Sequence, residues 1–158
     1  MEYIKTQKEL EKIKDFMEIA AEEAKKSTCK KSHRGAIIVR NNKIIGLGHN
    51  KPLLEEFCNP CVREDIKDNS RVELCSAIHA EQMAILNAIK KGNLLDGSRM
   101  YNVKIKDGVM QPSGKPSCTV CSRIIYFACI EMVFWHKEWY TLYSPEEFNT
   151  LSFYYFKK

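Results

Sequence analysis

No stretch of the 158-residue chain approaches the roughly 20 consecutive apolar residues of a membrane-spanning helix. Residues 1–14 are charged throughout and lack the apolar core of about 7 to 15 residues that a secretory signal carries. The sequence therefore reads as neither membrane-bound nor exported, and a reducing cytoplasmic compartment is expected. Only seven glycines and five prolines are present, with no linker rich in Gly, Ser or Pro and no internal repeat. That composition excludes collagen-like and low-complexity classes and leaves a domain boundary nowhere to fall, so residues 1–158 read as one domain with a core over about 6–136 and a C-terminal helix and tail over 137–158. No strong charge bias is present either: 25 basic against 20 acidic residues give +5, which suits an anionic substrate without requiring one.

Cysteine is abundant instead. Cys29, Cys58, Cys61, Cys75, Cys118, Cys121 and Cys129 are an odd set that cannot all pair within one chain. In a reducing compartment such thiols act as metal ligands, catalytic groups or small buried apolar side chains.

Apolar residues at three- and four-residue spacing predict an amphipathic helix over 6–26. The β-branched runs 36–39 and 44–47 predict a hairpin turning at Asn41-Asn42, residues that tolerate positive φ. Residues 50–76 are polar, hold Pro52, Pro60 and three cysteines, and read as a long loop that needs fastening. A helix follows over 77–91, stopped by Gly92-Asn93, then a strand over 100–105, a turn at Asp107-Gly108, a helix over 118–128 and a strand over 132–135. Ser144-Pro145-Glu146-Glu147 opens a last helix with a cap, a first-turn proline and a capping-box glutamate. Helices alternating with strands after an initial hairpin predict an α/β fold, a three-layer α/β/α sandwich around a mixed sheet.

Two short motifs carry chemistry: His79-Ala80-Glu81 and Cys118-Thr119-Val120-Cys121, each at a predicted helix start. One imidazole and two thiolates are an established catalytic zinc set that leaves a fourth position for water. Cys118 and Cys121 fall on one helical turn, and the positive end of that helix favours thiolates. Glu81 is two residues from His79, so it can approach a water on the metal from another side and take its proton. Alone, a Cys-x-x-Cys pair is equally a redox pair or half of a structural zinc site.

His-x-Glu followed by a proline and Cys-x-x-Cys resembles the zinc-dependent cytidine and deoxycytidylate deaminase superfamily. The similarity extends over about 35–135, through Gly35-Ala36-Ile37-Ile38-Val39, the segment from Gly46 to Asn50, and residues 77–85. It implies zinc on His79, Cys118 and Cys121, proton transfer by Glu81, and a hydrogen bond from Asn50 to the substrate's sugar. Ala80, Ser117 and Arg34 join Asn50 as candidate substrate-binding residues, and the resemblance implies a homo-oligomer. One departure is Ser117, which stands between Pro116 and the first paired cysteine where the superfamily usually has proline directly before it.

Cys58, Cys61 and Cys75 form a second cluster, read either as a structural zinc clamp on the loop, with Cys29, His33 or His49 as a fourth ligand, or as three reduced thiols. Cys129 reads as core. Arg34, Lys51, Arg63 and Arg71 are candidates to hold a 5′-phosphate, and Trp135, His136, Trp139 and Tyr140 to stack on a base or to pack. The tail Phe153-Tyr154-Tyr155-Phe156-Lys157-Lys158 fits a docked element or oligomer contact better than a nucleic-acid site. The reading is a deaminase of a cytosine nucleotide, foremost dCMP, with a small-molecule nucleotide as partner. The alternatives are a deaminase of tRNA adenosine or of a single-stranded nucleic acid base and, from another class, a non-catalytic zinc-stabilised binding module.

Overall fold

The computed structural model describes residues 2–4, 6–68 and 70–157. In chain order the elements are β1 (Glu2–Tyr3), α1 (Gln7–Ala24), β2 (His33–Arg40), β3 (Lys43–His49), β4 (Lys51–Pro52), β5 (Ala77–Ile78), α2 (Ala80–Lys90), β6 (Arg99–Lys106), β7 (Val109–Gln111), α3 (Thr119–Phe127), β8 (Glu131–Trp135), β9 (Tyr140–Tyr143) and α4 (Pro145–Tyr154). Seven strands form one sheet in the order β1-β9-β8-β6-β2-β3, with β7 also pairing with β6. The β6–β8 pair is parallel and the other pairs of this sheet are antiparallel. This is the expected mixed sheet.

Strand alternation sorts the side chains into two cores. Ile37, Val39, Tyr101, Val103, Ile105, Val133 and Leu142 meet Ile13, Met17, Ala20 and Ala24 of α1 on one face. Ala36, Ile38, Met100, Met132, Phe134 and Tyr143 meet α2, α3 and α4 on the other through Ala80, Ala84, Ala88, Cys121, Ile125 and Phe148. Helices on both faces give the three-layer sandwich.

Asn41 and Asn42 both take positive φ, 51° and 60°, as a two-residue hairpin requires. Ser144 caps α4 as read: its Oγ accepts from the Glu147 N–H at 3.2 Å, and its N–H donates to Glu147 Oε2 at 3.0 Å. The helix expected over 77–91 starts later, because Ala77-Ile78 pairs with Lys51-Pro52 as a small ribbon and His79 stays extended at φ −78°, ψ 154°. Short strands β1, β7 and β9 were not legible, having only two to four residues each. A run that short carries no alternation to read. None of the helices among the described residues is long and apolar enough to cross a membrane.

Candidate metal centre

The two motifs meet because two helix N-termini converge. His79 is the N-cap of α2, its N–H donating to Gln82 Oε1 at 2.9 Å. Cys118 is the N-cap of α3, and its sulfur accepts the N–H of Cys121 at 3.4 Å. The N-cap and the third helical residue lie side by side in capping geometry, so the two-residue spacer brings both sulfurs to one point. His79 Nδ1 lies 3.2 Å from Cys121 Sγ and 3.4 Å from Cys118 Sγ. All three ligand atoms fall within 4.8 Å of one another, and no other group of three or more His, Cys, Asp or Glu does so among the described residues. Zinc bonds of about 2.0 to 2.3 Å in a tetrahedron make N···S edges of about 3.6 Å. The donor set thus fits a zinc ion in both size and chemistry.

The three side chains perturb one another strongly. Burial disfavours charge on His79, yet its contacts with Cys118 and Cys75 hold the imidazole up at about 10. Hydrogen bonding from Cys121 and then His79 outweighs burial at Cys118 and brings that thiol down to about 4. Cys121 is driven upward by sharing with Cys118 and by burial, so without a metal one thiolate serves the pair. A divalent ion would displace the remaining proton from the thiol and that of the imidazole. Glu81, 8% exposed, has its carboxyl pushed up by burial and then by the Cys118 charge.

These groups open on a cavity of about 320 Å³, within the range of small-ligand sites. Asn50, Ala80, Glu81, Ser117 and Arg34 all line it. Asn50 is heavily committed to structure: its Oδ1 accepts from Ser27 Oγ at 2.7 Å and from the Arg34 N–H at 2.8 Å, and its Nδ2 donates to Ser32 O at 2.7 Å. One Nδ2 hydrogen stays available to a ligand. Ser117 follows a loop pinned to β8, where the Ser113 N–H donates to Trp135 O at 2.8 Å and Ser113 Oγ accepts the Trp135 N–H at 2.9 Å.

Of the four phosphate candidates, Arg34 and Arg63 line the cavity. Lys51 and Arg71 do not, and Arg71 instead pairs with the exposed Glu73 at 2.5 Å. Cys29, Cys58, Cys61 and Cys75 line the cavity too, but do not gather into a ligand group. Cys58 Sγ lies 3.1 Å from Ser76 Oγ, and Cys75 is lowered to about 7 chiefly by the His79 imidazole. The loop is fastened by cations on carbonyls: Lys31 Nζ donates to Arg63 O and Ile66 O, and Arg63 Nη2 to Ser70 O at 2.9 Å. Cys129 is a correction, for it is exposed at φ +54° in the turn after α3 rather than in the core.

Of the two readings open for the aromatic set from Trp135 to Tyr140, packing is the one the structure supports. Trp135, His136, Trp139 and Tyr140 lie away from the cavity, with His136 and Trp139 stacked on each other at 5.7 Å and Trp135 and Tyr140 packed on the α1 side. Phe134, Phe148 and Tyr155 line the cavity instead. Alternation from Val133 would have sent Phe134 to the His79 face. Phe148 of α4 and Tyr155, the helical C-cap residue that follows it, are seven residues apart and so lie to one side. Lys104 and Asn102 were missed as well, both lining the cavity from β6.

The profile of the family described as "Cytidine and deoxycytidylate deaminase zinc-binding region" matches residues 10–137. A deoxycytidylate deaminase of Mycobacterium phage D29 is 30% identical over 131 residues, covering 78% of this chain and 92% of the phage protein. Among solved structures, the dCMP deaminase of cyanophage S-TIM5 in apo form aligns with a TM-score of 0.52 and 25% identity, over 76% of this chain and 78% of that one. The cytidine deaminase of Burkholderia pseudomallei shares the fold at a TM-score of 0.54 and 17% identity, over 85% and 94% of the two chains. With the family profile covering most of its length, the chain belongs to the cytidine and deoxycytidylate deaminase family.

Proposed function

We propose that the chain is a zinc-dependent hydrolytic deaminase of a cytosine nucleotide, converting dCMP and water to dUMP and ammonia. The observation that carries this reading is the convergence of His79 Nδ1 with Cys118 and Cys121 Sγ beside the buried Glu81 carboxyl, at the wall of a nucleotide-sized cavity. The deoxycytidylate deaminase of phage D29, 30% identical over most of both chains, supports dCMP as the substrate.

His79, Cys118 and Cys121 would hold one Zn2+ and leave its fourth position open. Zinc bound there supplies Lewis-acid activation of water at neutral pH. Glu81 takes one proton of the attacking water and passes it to ring nitrogen N3, then takes the proton left on the new C4 hydroxyl and gives it to the amine as the C–N bond breaks and ammonia leaves. Its place in the first turn of α2, where the first N–H groups lack intrahelical acceptors, suits a carboxyl that alternates between charged and neutral forms. Phe134 and Phe148 give the base an apolar wall that keeps bulk water out. Seven free thiols accord with a reducing compartment.

The test is ammonia release from dCMP, deoxycytidine and tRNA by zinc-loaded protein. Turnover of dCMP supports the reading. Activity on tRNA alone, or none on any substrate with zinc bound, overturns it.

A further inference from the structure

On the cavity-facing side of the sheet two cations stand directly opposite each other. Arg34 of β2 and Lys104 of β6 are register partners in an antiparallel pair. Alternation puts both on the face that carries Ala36, Ile38 and Met100, and both line the cavity. Like charges opposite one another destabilise a sheet. Among the described residues neither head group has a carboxylate partner or a side-chain hydrogen bond. A pair of solvated strand cations would normally be arranged to avoid this, and these two are only partly exposed.

One row deeper, the register partners are Ala36 and Asn102. Asn102 is 6% exposed, and its Nδ2 has no hydrogen-bond acceptor. The alanine opposite leaves that amide room on the cavity side. A buried donor without an acceptor is costly, and in a cavity wall it marks where a ligand oxygen belongs. Consecutive same-face positions on β6 are about 7 Å apart, so a cationic mouth and an orphan donor follow one another along a single strand. Arg34, Lys104 and Asn102 line the same cavity as His79, Glu81 and Cys118.

We infer that Arg34 and Lys104, with Asn102 beneath them, form the subsite for the substrate's phosphate and so determine that the enzyme takes a nucleotide rather than a nucleoside. Two facing cations relieve their repulsion by sharing one dianion, and the Asn102 amide supplies a neutral donor on the sugar side of it. This inference rests on the proposed deamination for its kinetic readout, but the binding readout stands apart from it.

The decisive comparison is Lys104→Met, with Arg34→Gln beside it, in zinc-loaded enzyme. The ratio of kcat/KM for dCMP to that for deoxycytidine should fall by about 10- to 100-fold in each, chiefly through KM for dCMP. By calorimetry, dUMP should weaken by a similar factor, whereas unliganded Lys104→Met should melt no lower than the parent because a repulsion has gone. An unchanged ratio together with unchanged dUMP affinity overturns the subsite. So does an equal loss on both substrates with a lowered melting temperature, which would mark a structural role. If the parent deaminates neither substrate, the proposed function fails while the dUMP titration still decides the subsite. Inorganic phosphate as competitor separates the two parts of the nucleotide: competition lost in Lys104→Met supports the assignment, and competition retained there opposes it.

Discussion

Gly48 of β3 lies against the carbonyl of Ala80 in the first turn of α2, so closely that a Cβ at position 48 would stand 2.3 Å from that oxygen. No side chain fits there. The contact sets the height at which α2 rides on the sheet, and with it the position of His79 and Glu81 on either side of Ala80. Ala84 and Ala88 continue the same narrow seam along the helix, buried to the sheet side.

Gly48→Ala is therefore expected to push the α2 N-terminus outward, at a cost of about 1 to 3 kcal/mol for overpacking. Because the displaced turn carries the His79 ligand atom, zinc affinity should fall together with the urea midpoint. Metal content after dialysis and an unfolding curve check both. An alanine tolerated with full zinc and an unshifted midpoint would mean that the seam does not position the site.

Glu81→Gln tests proton transfer apart from metal binding. The amide keeps the shape of the side chain and removes its proton exchange, so turnover of dCMP should drop by about 10²- to 10⁴-fold while zinc content and fold are retained. Loss of zinc along with activity would reassign Glu81 to holding the metal.

Metal stoichiometry separates the two cysteine clusters. Native mass spectrometry of fully loaded protein should count one zinc per chain, because only His79, Cys118 and Cys121 are gathered within ligand distance among the described residues. Cys118→Ser should bring the count to zero and lower the melting temperature, since an ion that binds only the folded chain stabilises it. A count of two would show that Cys58, Cys61 and Cys75 close around an ion when one is present.

The cluster of His79, Cys118 and Cys121 and the sandwich were both readable because their parts are signalled locally. His79 and the two cysteines sit at helix starts marked by their own spacing, and the hairpin at Asn41-Asn42 is signalled by the two residues that adopt positive φ. The cavity wall was not readable in the same way. Lys104 and Asn102 acquire their meaning from register with Arg34 and Ala36, some 70 residues earlier in the chain, which no local pattern reports. Tyr155 comes from the far end of α4. In the long loop the cysteines drew attention to a clamp, whereas the fastening comes from Lys31 and Arg63 on backbone carbonyls, contacts that have no sequence spacing to betray them.

A pH dependence follows from Glu23, at the C-terminal end of α1. Its carboxylate bonds His49 Nδ1 at 2.8 Å and Lys26 Nζ at 2.6 Å. His49 is followed directly by Asn50, so this pair ties α1 to the cavity edge. Burial opposes ionisation of Glu23, but the bonds to Lys26 and then His49 prevail and hold its carboxyl below the usual 4.5. A carboxyl depressed in the folded state contributes stability above its unfolded value, and that contribution disappears as pH falls through the folded value. Glu23→Gln should accordingly cost about 1 to 2 kcal/mol at pH 7 and progressively less below about pH 4.5. Urea midpoints of parent and variant, measured at pH 7 and again near the acid limit of folding, should converge as the parent loses the charge that the variant never had. A gap that stays constant with pH would mean that the side chain acts through packing alone, and the link from α1 to the Asn50 edge would then not be electrostatic.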